Sequence, residues 1–205
     1  MVSCMARLSR FVAVAVLLGG ATVSLSACTG GSDPVASPSP SVSTVVTPTP
    51  SASPSPTPLT DAELLALIPE DARAENFVSA SNFAKFFVVE SQAMLLDGDD
   101  RLLHAVSEPG CTFCDASFAT LAAARARGLA ASGGDITVSP DLAVGGLQAD
   151  GTWNASFDIE IDAQQFIDSS GALVKSNPAE SLRVGVVLIY KGSRWGVVDV
   201  GSEPR

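Results

Sequence analysis

Between Thr29 and Pro58 the chain is built almost wholly from Ser, Thr, Pro, Val, Ala and Gly, with Asp33 its one charge, and eight of the 13 prolines fall there. Such a stretch has too little apolar surface to offset the entropy of ordering, and its prolines remove backbone donors that helix and sheet require. It reads as a spacer, reaching on the order of 90 Å if polyproline-like and roughly 30 Å as a flexible coil. Ser and Thr beside Pro also suit O-mannosylation; the alternative is a plain, unmodified linker. Any core must therefore lie in residues 59–205, which suffice for one domain burying about two-thirds of its unfolded surface.

What precedes the spacer is an address. Arg7 and Arg10 lead into an uncharged stretch from Phe11 to Val23 with FVAVAVLL at its centre. A basic n-region and an h-region of this length predict a secretory signal. A spanning helix needs roughly 20 apolar residues, and Gly19-Gly20, Ser24 and Ser26 interrupt the run too early. The following Leu25-Ser26-Ala27-Cys28 resembles the bacterial lipobox. The resemblance implies Leu25 as the specificity residue, Ser26 and Ala27 as the small residues before the cut, and Cys28 as the lipidated position. The alternative is an ordinary secretory signal with a chance cysteine. The expected layout is a signal peptide over 1–27, a lipidated cysteine and disordered linker over 28–58, and a globular domain over 59–205. The protein would be held to the extracytoplasmic face of the cell membrane by acyl chains, two or more of which anchor stably.

Charge narrows the partners. The chain carries 12 Lys and Arg against 22 Asp and Glu. Without residues 1–27 the net charge becomes −12, since that segment holds two arginines and no acid. A surface for nucleic acid must supply clustered cations, and so must one for anionic lipid headgroups, so both are excluded as partners of the domain. A single histidine, His104, leaves no room for a His-rich metal site and makes a Ser-His-Asp triad improbable.

Within residues 59–205 the hydrophobic period changes from helical to strand-like. Thr60-Asp61 caps a short helix through Ile68, ended by Pro69. From Glu75 to about Leu96, Phe83, Phe86, Phe87 and Met94 share one face at three- and four-residue spacing. Gly98 closes that helix and Asp99 caps another through about Val106. A third follows Pro109-Gly110 and runs to about Arg127, with Phe118 and Leu121 inward and Gly128 and Gly133-Gly134 closing it. Strands are then expected around Ile136–Gly146 and, across Asp150-Gly151, over Thr152–Ala163. A loop containing Gly171 and Asn177-Pro178 separates these from a hairpin of Ser181–Lys191 and Arg194–Val200, joined by a type II′ turn at Gly192-Ser193. Helices first and antiparallel strands afterwards predict an α+β fold.

The phrase NFAKFFVVESQAMLLDGDDRLLHAVSEPGCTFC resembles a family of secreted actinobacterial lipoproteins of unknown function. The matching positions are Phe83, Phe86 and Phe87, Gly98-Asp99, Leu102, Cys111 and Cys114, and Gly133-Gly134, over roughly residues 69–200. The helix-then-curved-sheet order is also similar to the nuclear transport factor 2-like cone fold, which hosts isomerases, dehydratases, cyclases and binding modules. The resemblance therefore bears on architecture and not on function. Phe86-Phe87 depart from it, standing where tyrosines are common and removing hydroxyls a pocket would use.

Each candidate site has a competing structural reading. In an oxidising compartment Cys111 and Cys114 are expected to close a disulfide, worth about 2 kcal/mol for so small a loop. Thiol–disulfide exchange is the sharper alternative; Asp115 beside the pair opposes a thiolate, and no thioredoxin-like strand precedes the motif. Two thiolates do not complete a zinc shell. The run Asp97-Gly98-Asp99-Asp100 turns directly into helix and lacks the 12-residue calcium loop, which favours capping. Asp158, Glu160 and Asp162 share one face of a strand as a solvated surface that Arg183, Lys191 or Arg194 can balance, or as a cation site or general base. Trp153, Tyr190 and Trp195 read as packing or as a ligand cage, and Asn154-Ala155-Ser156 is a weak sequon. No catalytic residue, metal site or cofactor is assigned.

The expected function is that of a non-catalytic binding or interaction module of the cell envelope, with an envelope protein, wall polymer or small ligand as partner. The alternatives are a small-molecule enzyme or ligand carrier of the cone type, and a redox protein built on Cys111 and Cys114. The anchor is directly testable. Cys28→Ser should abolish incorporation of a labelled fatty acid and release the protein from the membrane fraction.

Overall fold

A computed structural model describes residues 57–205, so the expectations for Leu25, Ser26, Ala27, Cys28 and the linker through residue 56 lie outside the described residues. Helix α1 spans Asp61–Leu67 and begins with a reciprocal cap, in which Thr60 Oγ1 accepts from the Glu63 amide and Glu63 from the Thr60 amide. A single 3-10 turn at Glu70–Ala72 leads to the long helix α2, Phe77–Asp97. The Asn76 side chain accepts from the Ser79 amide at its start, and Gly98 ends it at φ 80°. Helix α3, Arg101–Val106, starts one residue later than an Asp99 cap predicts: Asp99 accepts from the Arg101 amide, and Asp100 occupies the cap position. Helix α4 covers Thr112–Ala126.

Eight strands follow: β1 Ala130–Gly133, β2 Ile136–Val138, β3 Val144–Leu147, β4 Trp153–Ile161, β5 Gln164–Ile167, β6 Leu173–Asn177, β7 Glu180–Lys191 and β8 Arg194–Pro204. All the strand pairs are antiparallel. One sheet runs β1-β5-β6; the other runs β2-β4-β7-β8, with β3 also on β4. The break between the sheets falls at one level in three consecutive lines, at Gly133-Gly134, Asp162-Ala163 and Pro178-Ala179. Across that corner the Gly134 amide donates to Ala163 O at 3.2 Å and the Asp162 amide to Asp135 O at 3.0 Å. The corner needs glycine: a Cβ on Gly133 would stand 2.4 Å from Ala163 O, and one on Gly134 2.3 Å from Gln92 Nε2. The architecture is α+β, with the helices packed on antiparallel sheets.

The main core forms where α2 crosses the five-stranded sheet. Phe83, Phe87 and Met94 are buried against alternate residues of β4 (Ala155, Phe157, Ile159), β7 (Val184, Val186, Leu188) and β8 (Trp195, Val197). A bulge between Val187 and Leu188 shifts the β7–β8 register, so that Val200 lies opposite inward-facing Val186. Trp195 is the hub: Tyr190 lies 4.8 Å away, Trp153 5.7 Å and Phe83 6.5 Å, by ring centroids. The Tyr190 hydroxyl donates to Arg73 O at 3.2 Å, tying β7 to the segment before α2.

Three sequence expectations need correction. The loop around Gly171 and Asn177-Pro178 is the hairpin β5–β6; only Gln164 and Phe166 of its nine strand residues are buried, so apolar alternation is nearly absent. The strand expected over Ile136–Gly146 is broken into β2 and β3 by Ser139–Ala143, and Ala130–Gly133 adds a strand of small residues. The Gly192-Ser193 turn has φ 56° and 68°, positive at both central positions, which is type I′ and not II′. Ser193 thus occupies a left-handed conformation that costs a non-glycine residue free energy. Ser193→Gly should stabilise the fold by about 0.5–1 kcal/mol, read as a higher unfolding midpoint in urea.

Candidate functional site

A cleft of about 180 Å³ opens between α1, α2 and α3, with Phe86, Met94 and Leu103 among its apolar lining and Glu90, Asp99 and Arg101 among its charges. Glu90 extends the stripe of Phe83, Phe86 and Met94, four residues from each of the latter two, so the helix turns a carboxylate toward apolar neighbours. Burial raises its pKa above the usual 4.5, and the nearby Asp97 charge adds to the effect. Arg101 is held by Asp99 through Nε at 2.9 Å and Nη2 at 2.5 Å, and this hydrogen bonding draws the Asp99 carboxyl down to about 2. The cleft thus offers an acid that holds its proton more tightly than a free glutamate, beside an ion pair. Its volume lies below the roughly 300 Å³ at which small-molecule sites begin.

Cys111 and Cys114 are joined by a disulfide and each is 1% exposed. They sit at the start of α4, where Cys111 is the cap residue and its Sγ accepts from the Cys114 amide. The same helix end receives a carboxylate from β8: Asp199 accepts from Thr112 Oγ1 at 3.1 Å and from the Phe113 amide at 3.2 Å. The Phe113 amide is the main cause of a lowered Asp199 pKa. A negative group therefore already occupies the positive end of α4, and burial closes the disulfide to an attacking thiolate.

The other candidates separate into distinct places. In the acidic run, Asp97 Oδ1 accepts from the Asp99 amide at 2.7 Å, and Asp100 Oδ2 meets Arg125 at 3.1 Å, so these carboxylates serve turns and helix ends. Among the described residues no group of three or more His, Cys, Asp or Glu is placed to hold a metal ion. Of the three carboxylates, Asp158 and Glu160 lie on β4 and Asp162 just past its end; Asp158 takes Arg183 at 2.8 Å and Arg205 at 3.3 Å. Lys191 pairs instead with Glu108, and Arg194 lies 3.7 Å from Asp61. His104 stacks on half-buried Phe118 at 3.8 Å with Nε2 3.9 Å from Asp100. Trp153, Tyr190 and Trp195 belong to the core cluster already described, and Asn154 lies within β4.

Sequence reasoning missed the edge of the five-stranded sheet. The Ser139–Ala143 segment is fastened to α2: Lys85 Nζ donates to Ser139 O at 2.9 Å and also to Asp141 O, and Ser81 Oγ accepts from the Ala143 amide at 3.2 Å. β3 emerges from this clamp paired on one side only, to β4. A groove of about 340 Å³ runs beside it, with Leu142, Val144, Phe157 and Asp158 in its lining. The legible signal was Gly145-Gly146 between Leu142, Val144 and Leu147, an apolar run without the regular alternation of a half-buried strand.

A solved structure shares this architecture. The intermembrane-space region of the chloroplast protein ARC6 aligns with a TM-score of 0.51 at 12% identity, covering 64% of this chain and 99% of that one. The protein Rd1NTF2_05 aligns at 0.35 and 13% identity, covering 60% and 98%. An uncharacterized protein with a cystatin-like fold from Caulobacter vibrioides gives 0.36 and 11%, covering 62% and 90%. At such identities the likeness concerns the fold. No curated protein matches the sequence. The family DUF6318, described as a family of unknown function, matches residues 67–201.

Glu90 yields a pH test. Its folded-state pKa is raised, so the folded protein holds this proton more tightly than the unfolded chain. The associated stability is present at low pH and is lost as pH rises from the ordinary glutamate range through the raised value. Glu90→Gln should therefore gain stability relative to the wild type as pH climbs through that window. Paired urea titrations across pH would measure it, and an equal gap at every pH would refute the assignment.

Proposed function

The chain belongs to the DUF6318 family, whose function is unknown, and we propose that it is a secreted lipoprotein, anchored at Cys28 to the extracytoplasmic face of the cell membrane, whose domain is a non-catalytic interaction module. The observation that carries the module reading is the filled interior. Between α2 and the sheet, where a cone-shaped fold can hold a ligand, Phe83, Phe87, Leu188, Trp195 and Val197 are each under 2% exposed. Packing of that kind is a core, and recognition falls to the outer surface. The Ser/Thr/Pro linker supplies reach from the membrane, and the charge of −12 without residues 1–27 holds the domain off anionic lipid.

A second reading, a small-molecule enzyme or ligand carrier, is favoured by the Glu90 cleft. A thermal-shift series on the full-length protein in detergent separates the two, using envelope lipids, sugars, divalent metals and peptides. The module reading expects no shift from the small molecules. A true ligand at 100-fold excess over its Kd would stabilise the fold by about 2.7 kcal/mol. Such a shift, lost in Glu90→Gln, would replace the module with the ligand-site reading.

A further inference from the structure

The two edges of the five-stranded sheet are treated differently. At β8 the chain covers the middle of its own edge and leaves Gly201–Pro204 exposed: the Glu108 amide donates to Val197 O at 2.8 Å, Ser107 bridges to Val197, and Asp199 binds the start of α4. At β3 nothing among the described residues covers the strand. Its apolar side chains face solvent, with Val144 78% exposed and Leu147 60%, beside Leu142 at 56%. Folded proteins normally blunt such an edge with Lys, Pro or a covering segment, because its free backbone groups accept another strand. The centre of the strand is Gly145-Gly146: a Cβ on Gly145 would stand 1.9 Å from Asn154 O, so that glycine serves the pairing with β4, and Gly146 leaves open space beside the strand. The Gly146 carbonyl accepts from the Gln148 side-chain amide at 2.9 Å, a donor that an incoming backbone N–H can replace.

Charge selects the occupant. Residues 135–150 contain Asp135, Asp141 and Asp150 and no Lys or Arg. Glu160 and Asp162 stand exposed on the adjoining strand line, and none of these five carboxylates has an ion-pair partner among the described residues. A second copy would bring the same acids to the same edge. Three cations lie close by, and each has a partner: the Lys85 ammonium is spent on the Ser139 and Asp141 carbonyls, where it fixes the segment that presents β3, and Arg183, which lines the groove, shares Asp158 with Arg205. We propose that β3 is the docking edge for an extended, basic segment of a partner protein, which adds to the sheet as a further strand with its cations toward the carboxylates on the Val144 face and its apolar side chains against Leu147 on the opposite face.

This proposal rests on the reading of the domain as an interaction module and assigns the surface and the chemistry of the partner. The test uses the full-length protein in detergent and two synthetic peptides, one alternating Lys with Val and one alternating Glu with Val, followed by calorimetry. The Lys-Val peptide is expected to bind, with affinity falling as salt rises, and the Glu-Val peptide not to bind. The double variant Val144→Lys, Leu147→Lys should lose at least about tenfold in affinity while its unfolding midpoint is unchanged, both side chains being exposed. Equal binding of both peptides, no binding of either, or undiminished binding by the double variant would overturn it. Photo-crosslinking in cells distinguishes this failure from failure of the module reading. Protein adducts from a probe at exposed Ala119 but none from position Val144 refute the edge alone; no adduct from any surface position refutes the module.

Discussion

The contact between the aromatic stripe of α2 and the inner face of the five-stranded sheet sets the positions of the remaining elements. Phe83, Phe87 and Met94 come from one helix, whereas Val186, Leu188, Trp195 and Val197 come from the last two strands. Each fully buried side chain of this size contributes roughly 1.5–3 kcal/mol of transfer free energy, and the deletion of one aromatic costs about 3–5 kcal/mol once the cavity is included. The chain passes from one sheet to the other at Gly133-Gly134, where a Cβ on Gly133 would meet Ala163 O and Gly134 holds φ 81°. With α2 thus seated, its other sides govern the periphery. Glu90 faces the α1 and α3 cleft, and Ser81 and Lys85 clasp the segment between β2 and β3.

Seating the helix has unequal effects on the two sides of the sheet. On the β8 side, the chain between α3 and α4 bonds to the strand at Val197, and the buried disulfide shapes the turn into α4. On the β3 side, the same helix spends Lys85 and Ser81 on holding a strand in place without covering it. The rigidity of that edge is thus provided from within the core, while its hydrogen-bonding capacity and apolar side chains are left outward. A mobile edge would lose entropy on pairing; a clamped one has already lost it in folding.

Much of this order was legible in the chain. The length of α2 follows from its apolar spacing between Asn76 and Gly98, and the β7–β8 hairpin from the alternation of Val184, Val186 and Leu188 around Gly192-Ser193. β5–β6 was not legible because most of its side chains are exposed, so the period-two pattern has little apolar content. The break at Ser139–Ala143 was hidden for another reason: a side chain on α2, distant in sequence, stabilises it. The disulfide was legible from spacing; the acidic run was legible as a turn between helices, but its cap position falls on Asp100, which makes no side-chain cap bond, and not on Asp99. Glu90 was written into the apolar stripe but was passed over there. Its raised pKa comes first from burial in the cleft that α1 and α3 residues close, which periodicity along one helix cannot convey, and second from Asp97 on the same helix.

The position of Asp199 and Trp195 in the final strand has a consequence for the order of folding. A chain is synthesised from its N-terminus, so α1 to α4 are complete while β8 is still absent. Until then α2 lacks Trp195 and Val197, and α4 lacks the carboxylate that occupies its first turn. Short helices without tertiary packing are marginal in water. Contacts that join the two ends of a domain also carry the largest loop-closure cost and form late. The nascent domain therefore has no complete core until β8 has been synthesised.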